Sequence, residues 1–232
     1  MQPLVSCIVA TKDRKEFLLQ SIKYFLNQTY PNKELVIVDD GHQPLVDQLP
    51  TQASIHYIQL DSPVNLGSKL NLGIEAAHGQ IIQKWDDDDY YHPAFLETNV
   101  HHLLSQKAPG ECILCYDRFL VFLAATRQLK ITGSGWCAGS TLCFQRNLWR
   151  RKRFRPLNRA VDWYFLQDHS PRRCKISNPE LHILVRHSQH TWQKLGSQSV
   201  DDYMRNLPDY NRTLAELIDE EDVQFYFNLG QQ

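Results

Sequence analysis

No run of about 18 apolar residues occurs anywhere in the chain, and neither sign of charge dominates: 25 Lys and Arg stand against 26 Asp and Glu. The first absence excludes a membrane-spanning helix. The second removes any global pull toward polyanions, so specific nucleic-acid binding is not expected and attraction to phosphate has to be local. Met1 leads almost directly into strand-like sequence, with no basic segment followed by an apolar one, so a secretory leader is not expected. Cysteine is sparse, six in 232 residues, and its single Cys-x-x-Cys (Cys112, Cys115) has no second pair at zinc-finger spacing. Lying in an apolar, strand-like stretch, these two read as core thiols rather than as zinc ligands or a redox couple. A reduced, cytoplasmic protein is the simplest account. Repeats, low-complexity segments and a Pro/Gly-rich linker are also missing, which favours one sizeable domain.

What the chain does have is Asp86-Asp87-Asp88-Asp89, between Trp85 and Tyr90-Tyr91-His92-Pro93, at the end of an apolar stretch over 80–84. Four adjacent carboxylates call for a positive partner. On an extended backbone Asp86 and Asp88 share one face and Asp87 and Asp89 the other. Oxygen-only ligands suit a hard ion, Mg2+ or Mn2+, with positions left for water and substrate phosphates. Pro93 is placed to open a helix that Asp89 either caps or leaves in order to orient its neighbours.

The first half alternates strand and helix. Residues 5–10 form a continuous apolar run, the mark of a strand covered on both faces. Leu18, Ile22, Phe25 and Leu26 recur at helical spacing. Leu35-Val36-Ile37-Val38 is a second buried strand ending in Asp39-Asp40-Gly41, and 54–60 a third. A short helix follows Asn65-Leu66-Gly67-Ser68-Lys69-Leu70-Asn71, with Gly79 as its expected cap. Such β-α-β spacing predicts a Rossmann-like, mostly parallel sheet flanked by helices, with ligands beyond the carboxyl ends of its strands. Thr11-Lys12-Asp13-Arg14, Asp39-Asp40 and 86–89 all lie at those ends. Residues 1–104 thus form a nucleotide-binding half and 105–200 an acceptor half of one domain. The tail, 201–232, reads as helical, packing on the body or pairing with another subunit as a homodimer.

These residues, in this order and spacing, resemble family-2 glycosyltransferases of the GT-A fold. The resemblance runs from Val5 to about Trp192. It rests on residues 5–14 as opening strand and turn, Leu35 to Gly41 as nucleotide-binding strand, Asn71 to Gly79 as sugar-nucleotide loop and helix, and Asp86 to Asp89 with Pro93 as the D-x-D-D pattern. It implies transfer of a sugar from a nucleotide diphosphate sugar, with uridine diphosphate the expected carrier, to a saccharide, lipid-linked or other hydroxyl acceptor, with inversion and with Mn2+ or Mg2+. The implied donor site comprises Thr11, Asp13, Arg14, Asp39, Asp40, Asn65, Lys69, Asn71, Asp86, Asp87, Gly139 and Trp163. Asp88 is the implied metal ligand, and His187, in a late arginine-histidine segment, completes the coordination. Val161-Asp162-Trp163 resembles the family's E-D-W segment, which makes Asp162 the general base and Trp163 a wall for a sugar ring.

Glycosyl transfer makes the same demands physically. A divalent ion stabilises the charge on the departing diphosphate, and a base takes the acceptor proton. A carboxylate such as Asp39 or Asp40 suits the imide N–H of uracil or thymine. Asp13 serves either the site or, as N-cap, the first helix. Arg146, Arg150, Arg151, Lys152, Arg153, Arg155 and Arg159 form a basic run that is either a phosphate or membrane-surface patch or a solvated face. Two other functions fit less well. A nucleotidyltransferase calls for a glycine-rich phosphate loop that Thr11 to Arg14 does not supply. A silent sugar-binding module is kept open by Leu70, where an arginine is common in the family, and by Val161, where an acid is.

Overall fold

The computed structural model describes residues 2–169, 172–190, 192–195 and 197–229. The first half runs β1 (Val5–Thr11), α1 (Lys15–Leu26), β2 (Lys33–Asp39), β3 (Ile55–Gln59), α2 (Leu66–Ala76), β4 (Ile81–Trp85), β5 (Tyr90–Tyr91) and α3 (Phe95–Leu104). The second runs β6 (Cys112–Tyr116), β7 (Leu120–Leu123), β8 (Gln128–Ile131), β9 (Cys143–Gln145), α4 (Arg146–Arg151), α5 (Val161–His169), β10 (Arg172–Ile176) and β11 (His182–Arg186). It closes with β12 (Lys194–Leu195), β13 (Gln198–Ser199), α6 (Val200–Arg205) and α7 (Glu220–Leu229).

The central sheet has the order β10-β6-β9-β4-β1-β2-β3. Strands β1 to β4 are mutually parallel, as are β6 and β10, and β9 runs antiparallel between β4 and β6. Alternation along β1 explains its unbroken apolar run. Val5, Cys7 and Val9 enter one core with Leu18, Ile22 and Phe25 of α1, while Ile8 enters the other with Leu70 and Ile74 of α2. Gly73 lets α2 lie that close, since a Cβ there would stand 2.6 Å from the Ile8 side chain. Chain order reverses direction about β1, with β2 and β3 on one side and β4 on the other. The crevice beyond Thr11 and Trp85 is therefore the switch point at which such sheets bind ligands.

A second sheet, β5-β11-β7-β8, stands beside this crevice. The tail packs on the body: Lys23 of α1 pairs with Glu221 (2.6 Å) and Asp222 (2.8 Å), and Tyr226 meets the Phe122 ring. Gly79 is not a cap. Helix α2 ends at Ala77 in extended backbone, and Gly79 instead packs where a Cβ would fall 2.3 Å from Ser6 Oγ. The helix after Pro93 begins at Phe95, and its cap position, Ala94, makes no side-chain cap bond. Cys115 is no core thiol but is bonded to Cys137, with Cα atoms 5.3 Å apart. The strand-like reading of 112–116 was right, yet the chain after β8 returns over the end of β6, where Ala138 N–H donates to Tyr116 O (3.1 Å), and brings Cys137 onto Cys115.

Asn71 also departs from expectation. Its carbonyl oxygen accepts from Trp149 Nε1 (2.8 Å) and Phe154 N (3.0 Å), and its amide nitrogen donates to Phe154 O (2.8 Å). The side chain pins the segment after α4 to α2 rather than facing a donor. Asn71→Ala leaves these partly buried groups unpaired, which costs about 2 kcal/mol. The thermal midpoint of the ligand-free protein should fall by about 4–8 °C, and an unchanged midpoint contradicts the pinning role.

Candidate active site

Parallel pairing of β1 and β4 sets Val9 opposite Trp85, so Thr11 and the aspartates leave the sheet side by side. The backbone bends over 87–89 instead of continuing as a strand. The expected two-faced alternation is lost for that reason. Asp87 and Asp88 turn to one cation: Arg14 Nη1 lies 3.1 Å from Asp87 and 3.0 Å from Asp88. Thr11 Oγ1 donates to the other Asp87 oxygen at 2.6 Å. Asp86 turns away to Lys84 Nζ, 2.6 Å distant. Asp89 points inward, where it lies 2.9 Å from His182 Nε2 and accepts from Val185 N at 3.1 Å, so it caps no helix but fastens β11 to the acidic turn.

Asp13 is not the N-cap of α1 either. Arg14 holds that position, and Asp13, at φ 52°, accepts from His42 N and lies against His42 Nδ1, both at 2.7 Å. It ties the first turn to the loop after β2. Asp39 accepts from Gly41 N (2.8 Å) and Tyr57 Oη (2.8 Å). Asp40 accepts from Lys69 Nζ (2.7 Å) and Val64 N (2.9 Å), and Lys69 also donates to Thr11 O. Asn65 caps α2 by accepting from Ser68 N. These residues shape a groove of about 340 Å³ lined by Asp40, Gly41, His42, Gln59 and Pro63 among others.

Asp162 enters from the second half. It is the second residue of α5, and its carboxylate rests against Gly139, where a Cβ would lie 2.2 Å from Oδ2. The glycine is thus required by the carboxylate. The buried Lys84 ammonium, 5 % exposed, stands between Asp86 and Asp162, 3.6 Å from Asp162 Oδ2. The other oxygen, Oδ1, is buried and has no hydrogen-bond partner among the described residues. Trp163 is 56 % exposed beside it. His187 Nε2 sits 3.1 Å from Asp88 Oδ2, with its ring on Phe17 and 5.4 Å from that of His190.

Electrostatics separates the four aspartates. Burial and the adjacent Asp88 charge push Asp87 up to about 6, against Arg14 and the Thr11 hydroxyl. Burial also works against the charge on Asp88, but the His187 hydrogen bond and the charges of His190, Arg14 and His187 outweigh it, and Asp88 lies well below the usual carboxylate range. Burial raises Asp86 as well, with Lys84 opposing and Asp89, Asp88 and Asp162 adding to the rise; its 40 % exposed side chain tempers the effect. His190 is lowered to about 4 by burial. Asp88, held ionised, and the His187 imidazole 3.1 Å away are a fit donor pair for a divalent ion, and Asp86, with a side chain 40 % exposed, lies two residues before Asp88.

The basic run is largely spent on its own chain. Arg151 pairs with Glu111, Arg153 with Glu75, and both Lys152 and Arg155 with Asp168, while Arg146 donates to Ala77 O and Glu75 O. Of the two readings of 146–159, a phosphate or membrane-surface patch and a solvated face, the pairing with Glu75, Glu111 and Asp168 leaves fewer cations free for an anion.

The sequence model of glycosyl transferase family 2 matches residues 6–169. The chain belongs to glycosyl transferase family 2. An uncharacterized glycosyltransferase of Haemophilus influenzae is 30% identical over 110 residues, 44% of this chain and 33% of the relative. A cholesterol galactosyltransferase of Borreliella burgdorferi is 29% identical over 130 residues, 54% of this chain and 36% of the relative. The chain therefore spans about a third of the length of these two relatives. Among solved structures, S. aureus TarS 1-349 in complex with UDP-GlcNAc superposes with a TM-score of 0.61 at 15% identity, covering 80% of this chain and 59% of that one. Mannosyltransferase PcManGT from Pyrobaculum calidifontis, in complex with GDP-Man and Mn2+, gives 0.58 at 17% identity, covering 80% and 57%. The fold of this family-2 chain is thus GT-A.

Residues missed from sequence are Lys84 and His182. A lysine inside a buried strand was the available signal for Lys84; His182 had none, since its partner lies 93 residues away. Asp87 generates a pH effect whose sign is fixed. Its folded-state value near 6 exceeds the unfolded value of about 3.9. The folded state binds the proton first, so this group adds stability as pH falls from 7 to 5, by about 1 kcal/mol. Thermal midpoints in EDTA should show this increment in the parent and lose it in Asp87→Asn; equal pH slopes for both contradict the assignment.

Proposed function

We propose that this family-2 chain is an inverting, metal-dependent glycosyltransferase that takes a uridine diphosphate sugar and transfers the sugar to a hydroxyl of a saccharide or lipid-linked acceptor. The observation that carries this reading is Asp162: a carboxylate oxygen without a partner, buried at the mouth of a crevice whose opposite wall is the D-x-D segment. Asp88 and His187 would hold a Mn2+ or Mg2+ ion, with Asp86 reaching it through water or holding the ribose hydroxyls. When bound, such an ion neutralises charge on the departing diphosphate.

The chain's own residues do the rest. The groove beside Asp40 takes the nucleobase, and Asp40, held by Lys69 and Val64 N, fixes the wall of that groove. Trp163 gives the acceptor ring an apolar face to stack on. Asp162 takes the proton of the acceptor hydroxyl as that oxygen bonds to the anomeric carbon, and the bond from that carbon to the diphosphate oxygen breaks. A single displacement from the far side inverts the centre. Lys84 holds Asp162 in place and screens it from Asp86, so that two carboxylates can face one crevice.

Release of nucleoside diphosphate from a panel of UDP-sugars, with mixed saccharide acceptors, tests the reading. Asp162→Asn should lower turnover by at least about 100-fold while nucleotide affinity stays within about twofold. Turnover at the parent rate in the variant excludes Asp162 as base, and nucleotide binding without any turnover in the parent supports a silent binding module instead.

A further inference from the structure

A second polar cluster lies at the other end of the sheet. Glu34 begins β2 next to Lys33, His56 is the second residue of β3, and His78 precedes β4. All three therefore sit at the amino ends of the strands whose carboxyl ends build the active site. The Glu34 carboxylate is divided between two tasks. Its Oε1 accepts from Ser6 Oγ (2.6 Å), His78 N (2.6 Å) and Gly79 N (3.1 Å). Its Oε2 faces two imidazoles, with His78 Nδ1 at 3.0 Å and His56 Nε2 at 3.3 Å.

The three atoms Glu34 Oε2, His56 Nε2 and His78 Nδ1 all lie within 4.8 Å of one another. Ligand atoms about 2.0–2.2 Å from one ion stand roughly 3.0–3.5 Å apart at octahedral to tetrahedral angles. Both carboxylate-to-imidazole separations already have that value, and the two exposed rings need only turn for the nitrogens to close on a common centre. We propose that Glu34, His56 and His78 form a binding site for one divalent transition-metal ion, of which zinc is the representative, with its remaining position open to water. Two imidazoles and one carboxylate favour zinc, nickel or copper over magnesium or calcium, which sets this site apart from the carboxylate-rich one at the opposite end.

The carboxylate is prepared for the role. The Ser6 hydroxyl and the backbone N–H groups of His78 and Gly79 donate to Oε1 and so orient Oε2 outward, as the supporting contacts of metal-ligating carboxylates do. The histidine side chains are 42 % (His56) and 69 % (His78) exposed, so the ion has an entry path. An ion here ties the starts of β2 and β3 to the turn between α2 and β4, and by binding only the folded chain it stabilises that chain.

The test is zinc titration of the full chain after EDTA treatment and dialysis, by calorimetry at pH 7.5, with thermal midpoints alongside. The parent and Asp88→Ala should both bind zinc at this site and rise in midpoint on binding. His56→Ala and His78→Ala, placed in the Asp88→Ala background, should each weaken zinc by at least about tenfold and lose the rise. Both histidines are surface groups, so the variants fold. Absence of zinc binding in Asp88→Ala overturns the proposal, as does binding there that neither histidine variant weakens. Because Asp88→Ala removes the other site, this result stands apart from any result on glycosyl transfer.

Discussion

Four consecutive carboxylates at the end of a buried strand repel one another, and the surrounding structure is arranged around giving each a cation or a hydrogen-bonding partner. Lys84 serves Asp86 from within β4, Arg14 serves Asp87 and Asp88 from the turn after β1, and His187 and His182 reach Asp88 and Asp89 from β11 and the chain beyond it. In a low-dielectric setting unscreened charges this close would prevent folding. The partners come from both halves of the chain, so neutralising the acidic turn also docks the second sheet against the first. Fold and site are one electrostatic arrangement.

That arrangement leaves a useful remainder. Asp88 stays ionised with an imidazole beside it, Asp86 keeps part of its carboxylate exposed, and Asp162 has one oxygen that none of the described residues satisfies. Lys84 is the hinge between these groups, since one buried ammonium serves both the D-x-D side and the base side. An orphaned carboxylate oxygen is costly unless something else fills the place. On the proposed reading, an acceptor hydroxyl in the crevice at the switch point meets that need.

Much of the fold was legible from local sequence, and the reasons are specific. Residues 5–10 and 35–38 announce strands covered on both faces, the Leu18-Ile22-Phe25 stripe announces α1, and the D-x-D run follows β4 as expected. Asp162 and Trp163 were singled out by their resemblance to a family pattern, and the Gly139–Asp162 contact gives a structural reason for the glycine. What escaped depends on partners far apart in sequence. The pairing of Asp89 with His182, of Asp162 with Lys84 and of Cys115 with Cys137 leaves no periodic trace. The carboxylate alternation failed because it assumed an extended strand through a bend, and the basic run proved to be bound by Glu75, Glu111 and Asp168. Asp13 and Asn71, both polar residues near expected loops, turned out to hold segments together.

The most direct check on the central claim is where a metal sits. Crystals soaked with Mn2+ and UDP, measured for anomalous scattering at the manganese edge, should show a peak bonded to Asp88 and His187 with the diphosphate on its open side and the uracil in the groove beside Asp40. A peak or nucleotide bound elsewhere, with Arg14 still bridging Asp87 and Asp88 and nothing between Asp88 and His187, contradicts the account.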